Sequence, residues 1–158
     1  MDNNKLAELL FPHIDKTPEY YENLYPERNL GEGAKVTRIG PSPTGFVHLG
    51  NLYNAIIGER LAHQSGGVFY LRVEDTDAKR EVEGAVELVL SAMDYFGIHF
   101  DEGAILGEDG KISDHGIYGP YKQSLRRSIY HVYAKYLVEN CGNGLAFADT
   151  RLSCLMVH

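Results

Sequence analysis

At 158 residues, with 44% apolar and 23% charged residues, the chain has the length and balance of one globular domain that can bury a core. A net charge of −7 excludes a generally basic nucleic-acid binder and leaves room only for a local basic patch. Two cysteines, Cys141 and Cys154, are too few for a disulfide framework or a four-thiolate zinc site. With no signal-peptide pattern at Met1–Lys5 and no apolar run of membrane-spanning length, the expectation is a cytoplasmic protein without a membrane partner.

Residues 1–34 read as an N-terminal helical extension. Leu6, Leu9 and Leu10 suggest a short helix ended by Pro12, and Pro18 opens a second through Tyr20, Tyr21 and Leu24. A β-branched stretch over 35–40 predicts the first strand. A helix should follow from near His48 to Gln64, with Leu49, Leu52, Ile56 and Leu61 among its apolar positions, stopped by Gly66-Gly67. The apolar run Val68–Val73 reads as a buried parallel strand, so strand, helix and strand form a βαβ unit.

A second helix follows from the spacing of Val82, Ala85, Val86, Val89, Leu90, Met93 and Phe96. Five glycines in 101–119 predict a loop or small hairpin. A third helix should run from Ser124 as its cap to Glu139, with Leu125, Ile129, Val132 and Tyr136 on one face and basic residues facing water. Tyr130, Tyr133 and Tyr136 are expected to pack against the sheet, and Leu145–Ala148 to form a strand. The six histidines other than His48 show no metal-ligand spacing.

Three segments carry chemistry. The run Arg38-Ile-Gly-Pro41-Ser42-Pro43-Thr44-Gly45, followed by His48-Leu-Gly50-Asn51, places a rigid loop between a strand and a helix start. Free N–H groups at a helix start favour phosphate, although such a loop is equally a tight structural turn. Arg72-Val-Glu74-Asp-Thr-Asp77 sits at the carboxyl end of the second predicted strand, where open α/β sheets bind ligands; alone it reads first as a solvated acidic turn, with metal binding by its three carboxylates the lesser alternative. Gly119-Pro-Tyr121-Lys122-Gln-Ser124-Leu-Arg126 opens the third helix with cations suited to phosphate contact.

Together these segments resemble the glutamyl-tRNA synthetases, class I aminoacyl-tRNA synthetases. The first is similar to their Arg-x-x-Pro-Ser-Pro-Thr-Gly-x-x-His-x-Gly signature, the second to Arg-Ile-Glu-Asp-Thr-Asp and the third to Gly-Pro-Tyr-x-Gln-Ser-x-Arg. Gly40, Asn51 and Leu125 stand where Ala, a second histidine and Glu are usual. The resemblance implies an α/β, Rossmann-like nucleotide-binding half with a parallel sheet. It also implies ATP-dependent ligation of L-glutamate to tRNA(Glu), through an adenylate, with Mg2+ accompanying ATP. By the same resemblance Arg38, Ser42 and Glu74 bind glutamate, and Pro41, Thr44, His48, Gly50 and Asn51 bind ATP, with His48 and Asn51 catalytic. Asp77, Lys122 and Arg126 face tRNA.

The class I pattern also includes a Lys-Met-Ser-Lys-Ser-like loop, which this chain lacks. Transition-state stabilisers of that kind are worth ~10²–10³ in rate, so the chain is expected to be inactive alone, as the N-terminal part of a synthetase whose remainder is missing. Residues 35–150 then form a partial catalytic domain. Residues 151–158 match nothing in the family pattern and suggest a truncation or frameshift. Alternatives are a paralogue that transfers glutamate to the queuosine base of tRNA(Asp), whose first block usually reads Pro-Ser-Pro-Ser-Gly against Thr44 here, and a non-catalytic fragment that binds nucleotide or tRNA. A small nucleotidyltransferase is more distant, because it has no need of the Arg72–Asp77 block.

Overall fold

The computed structural model describes residues 2–77, 79–107 and 110–140. The expected strand at Leu145–Ala148 and the expected aberrant tail lie outside them. The described residues divide into two units: one spans Arg28–Leu125, and the other joins residues 2–27 to residues 126–140.

In the helical unit, α1 (Asn3–Leu10) begins where Asp2 accepts a hydrogen bond from the Asn4 N–H, and its last turn closes just before Pro12. Helix α2 (Pro18–Leu24) starts with proline at a position where no N–H is needed, capped by Thr17. Both follow the sequence reading.

The other unit is built on a four-stranded sheet. Strand β1 (Val36–Ile39) leads through the proline loop into α3 (Leu49–Gln64), which returns to β2 (Val68–Leu71). Helix α4 (Ala85–Tyr95) crosses to β3 (Glu102–Leu106), and a turn leads to β4 (Ile112–His115). The order is β1-β2-β3-β4, with β1–β2 and β2–β3 parallel and β3–β4 antiparallel. The expected βαβ unit is therefore extended by a second crossover, and the glycine-rich segment is a hairpin whose first strand joins the parallel sheet.

Helix α3 buries a face different from the one its large apolar residues suggest. Ala55, Glu59 and Ala62 are buried and Leu52 packs partly buried against the core, as expected of it, whereas Leu49, Ile56 and Leu61 are exposed. Small residues win because the helix lies close against the sheet. The Gly58 carbonyl accepts a 2.7 Å hydrogen bond from Thr37, and a Cβ at Gly58 would come within 2.9 Å of the Phe69 ring. The helix ends in a turn in which Gly66, at φ 69°, takes the left-handed conformation and the Gly67 N–H bonds back to Ala62.

The first helical residue of α4 is Ala85, not Val82. The Val82 N–H is drawn to the Pro43 carbonyl at 2.8 Å, which holds it out of the helix, and both Val82 and Phe96 are largely exposed. Between the sheet, α3 and α4 lies the core, in which Phe69, Leu71, Val73, Leu90 and Met93 are buried.

The third predicted helix is divided. A 3₁₀ turn (Gln123–Arg126) precedes α5 (Arg127–Asn140). Ile129 and Val132 are buried, but Leu125 and Tyr136 are exposed. Tyr133 does not pack against the sheet: α5 packs on α1 and α2, and Tyr133 joins Tyr21, Ile129 and Val132 in a separate apolar cluster. Lys135 reaches Glu8 at 2.5 Å across the same packing.

Candidate functional site

Because β1 and β2 are parallel, the segments that follow them leave the sheet at the same carboxyl edge. The pairing continues past the strand ends. The Arg72 N–H donates to the Ile39 carbonyl at 3.1 Å and the Glu74 N–H to the Pro41 carbonyl at 2.9 Å. Pro41 and Pro43 are buried, and their carbonyls serve as acceptors, while Ser42 between them is exposed. The Thr44 N–H turns back onto the Ser42 carbonyl at 2.8 Å.

This register brings Arg38 and Glu74 into a direct ion pair, with both side chains about one-third exposed. Gly40 lies beneath them, where a Cβ would come within 2.7 Å of the Glu74 Cδ. A second guanidinium, Arg72, donates to the same Glu74 oxygen at 3.3 Å from Nη2. Arg72 is buried, and its Nε and Nη1 have no hydrogen-bond acceptor among the described residues. Two guanidinium charges thus share one carboxylate, which leaves the corner net positive and suited to an anion.

At the start of α3, His48 is the N-cap. Its Nδ1 accepts from the Gly50 N–H at 3.2 Å, and the Asn51 side-chain oxygen accepts from the His48 N–H at 3.1 Å. One consequence corrects the sequence reading: the helix start is not a row of free N–H groups, because Gly50 is committed to His48 at 3.2 Å and Asn51 to the His48 carbonyl at 2.9 Å. Gly50 also leaves room for the histidine, since a Cβ there would lie only 3.1 Å from the ring. With Nδ1 accepting, a neutral imidazole carries its proton on Nε2, and His48 is exposed.

The third segment is docked onto the second. The Val73 N–H donates to the Tyr121 carbonyl and the Gln123 N–H to the Val73 carbonyl, both at 2.9 Å. Buried Asp75 accepts from the Ser124 N–H at 2.8 Å and hydroxyl at 2.5 Å, and Lys122 stands 3.4 Å away. Burial alone would raise the Asp75 carboxyl, but the Ser124 and Lys122 hydrogen bonds outweigh it and hold it below the usual range. Ser124 is therefore not a helix cap; a remote carboxylate caps the turn.

Tyr121 is buried, and its hydroxyl donates to Glu102 at 2.7 Å; Glu102 also pairs with Arg28. The Arg28 guanidinium stacks 3.8 Å from the centre of the Tyr118 ring. The remaining site candidates stand apart. Asp77 pairs with Arg80 at 2.6 Å. Arg126 does not face water: it is buried in the helical unit, 5.8 Å from the Tyr25 ring centre.

Sequence reasoning assigned no role to Arg72, Arg28 or Glu102, and took Asp75 only as one of three carboxylates that could bind a metal. Arg72 carried a signal, as a charged residue inside the otherwise apolar run Val68–Val73. Arg28 and Glu102 carried none, being 74 residues apart.

A strand–loop–helix corner with a capping histidine and paired arginine and glutamate thus sits at the carboxyl edge of a parallel sheet, the edge at which open α/β folds bind ligands. Residues 35–153 match the family described as tRNA synthetases class I (E and Q), catalytic domain, and the chain belongs to that family. Its similar relatives are glutamate–tRNA ligases. That of Acetivibrio thermocellus is 61% identical over 141 residues, covering 88% of this chain and 25% of the relative. That of Clostridium perfringens is 56% identical over 147 residues, covering 93% and 26%.

Among solved structures, a glutamate tRNA ligase from Elizabethkingia meningosepticum in complex with its amino acid superposes with a TM-score of 0.59 at 37% identity, covering 70% of this chain and 20% of that one. The glutamate-tRNA synthetase from Elizabethkingia anophelis gives 0.58 at 37% identity, covering 67% and 20%. The chain spans about a quarter of the length of the curated relatives it matches.

Proposed function

We propose that this chain supplies the amino-acid and ATP corner of an enzyme that ligates L-glutamate to tRNA(Glu), in the cytoplasm where both occur, with residues 35–150 as part of the catalytic domain. The observation that supports this most is the Arg38–Glu74 pair at the carboxyl edge of the sheet. A zwitterionic amino acid presents carboxylates to a guanidinium and an ammonium to a carboxylate. One internal ion pair is then exchanged for two with the substrate, Ser42 adding a hydroxyl contact.

In this reading a glutamate carboxylate oxygen attacks the α-phosphate of ATP, the new bond to phosphorus forming as the bond to the β-phosphate breaks and pyrophosphate leaves, while His48 donates from Nε2 to the phosphate oxygens. Asn51 holds the imidazole's helix turn and offers its amide nitrogen, while Pro41, Thr44 and Gly50 shape the path of the loop beside the nucleotide. Most of the catalysis is then positioning and charge stabilisation. Among the described residues no three His, Cys, Asp or Glu side chains gather into a metal cage. Mg2+ would belong with the phosphates of ATP, and no step is assigned to it. Lys122 and Asp77 are the described residues of this unit proposed to face tRNA.

The test is titration of the isotopically labelled chain with L-glutamate, followed by NMR. Saturable shifts at Arg38, Ser42 and Glu74, weaker with L-glutamine, are expected. Shifts elsewhere only, or none, would overturn the reading.

A further inference from the structure

Three consecutive residues beyond β2 are held by different partners. Val73 is bridged to the segment around Lys122 by two backbone hydrogen bonds of 2.9 Å. Glu74 is bonded through its N–H to the Pro41 carbonyl at 2.9 Å. Asp75 is bonded through its carboxylate to the Ser124 N–H at 2.8 Å and the Ser124 hydroxyl at 2.5 Å, with its side chain only 4% exposed. A peptide plane leaves each residue two soft dihedrals. With Val73 and Asp75 anchored on either side and its own N–H engaged, Glu74 has little backbone freedom left. Only its rotamer remains to be chosen, and Arg38 and Arg72 choose it.

From this we infer that Asp75 is a positioning residue: by clasping Ser124 it fixes the backbone of Glu74 and so the place of the carboxylate that meets the substrate ammonium. The inference rests on the proposed glutamate site. Asp75 is suited to the task because a buried carboxylate bound by an amide and a hydroxyl makes charge-assisted hydrogen bonds, and both donors lose their partner when it is removed. A role confined to capping the 3₁₀ turn would leave Glu74 indifferent to Asp75, so the two roles separate at Glu74.

Amide hydrogen exchange and L-glutamate titration of the 158-residue chain test this with Asp75→Ala, Asp75→Asn and Ser124→Ala. In Asp75→Ala, exchange at Ser124 and at the Glu74 N–H should both rise by roughly tenfold or more, with Phe69 and Leu71 unchanged, and glutamate should bind roughly tenfold more weakly. Asp75→Asn, which keeps an acceptor for the amide and a partner for the hydroxyl, should restore most of both.

Faster exchange at Ser124 with unchanged exchange at Glu74 would overturn the inference. If Asp75→Ala loses protection throughout the sheet, Ser124→Ala decides: it removes one hydroxyl, and unchanged exchange at Glu74 would again overturn the inference. If the wild-type chain does not bind glutamate, the functional reading fails, while exchange at Glu74 still judges the role of Asp75.

Discussion

Arg38 on β1 and Glu74 just beyond β2 meet as an ion pair although 36 residues separate them in sequence. Parallel register makes the meeting possible, since Arg38 lies opposite Tyr70 and the ladder continues to Glu74 through the Pro41 carbonyl. Each residue neutralises the other, and together they offer both poles that an amino acid needs.

Arg38→Ala and Glu74→Gln should each weaken L-glutamate binding by roughly ten- to hundredfold, the worth of one hydrogen bond to a charged group. Calorimetric titration would measure this. The unfolding free energy should fall by less than about 1 kcal/mol in Arg38→Ala, because the pair is partly exposed, and by more in Glu74→Gln, which also takes the carboxylate from buried Arg72. Equal loss of stability and binding would mean that the pair is structural.

Gly40→Ala should separate Arg38 from Glu74 without disturbing the sheet. The new Cβ collides only with the far ends of two flexible side chains. A double-mutant cycle between positions 38 and 74 should give a coupling of about 0.2–1 kcal/mol with glycine at 40 and close to zero with alanine. Undiminished coupling in the alanine background would contradict the geometry.

Asn51 has two duties that substitution can divide. Asn51→Ala opens the capping box and should cost about 1 kcal/mol in urea unfolding. Asn51→Asp keeps the acceptor and places a negative charge at a helix start, so its stability should match or exceed wild type. The same aspartate should weaken ATP binding by repelling phosphate. Wild-type ATP affinity in Asn51→Asp would remove Asn51 from the nucleotide site.

Glu102 should make the Arg28–Leu125 unit sensitive to acid. Burial alone would raise its pKa and the neighbouring Asp101 charge also pushes it up, but hydrogen bonds from Arg28 and Tyr121 hold it below the ordinary carboxylate value. A depressed folded-state pKa contributes stability that is fully present above the unfolded value and is lost as pH falls through the folded one. Tyr121→Phe removes one charge-assisted bond and should cost about 2 kcal/mol at neutral pH. Glu102→Gln, which leaves the Arg28 charge without its partner, should cost roughly 3 kcal/mol and flatten the acid limb of the stability curve. An unchanged acid limb in Glu102→Gln would place the sensitivity elsewhere.

Much of the local architecture was legible in order along the chain. Pro12, Pro18 and Gly66-Gly67 punctuate the helices where they occur, because proline and glycine act through their own backbone dihedrals and need no partner. Val68–Leu71 is a buried parallel strand because its apolar residues have two faces to fill. The three segments that carry the family pattern could be read for the same reason: each is continuous in sequence.

What only the tertiary structure decided concerns partners distant in sequence. Periodicity suggested that α3 would bury Leu49, Ile56 and Leu61, but the sheet approaches so closely that alanines and a glycine take that face. Tyr133, expected against the sheet, packs with Tyr21 of α2, and Arg126 is buried beside Tyr25, because α5 packs with the N-terminal helices. The clasp of Asp75 on Ser124 and the Arg28–Glu102–Tyr121 chain bind residues 49, 74 and 19 positions apart. Residue identity and spacing set the local turns and the chemistry each segment offers; which charges meet depends on strand register and packing, which arise only when the whole sheet forms.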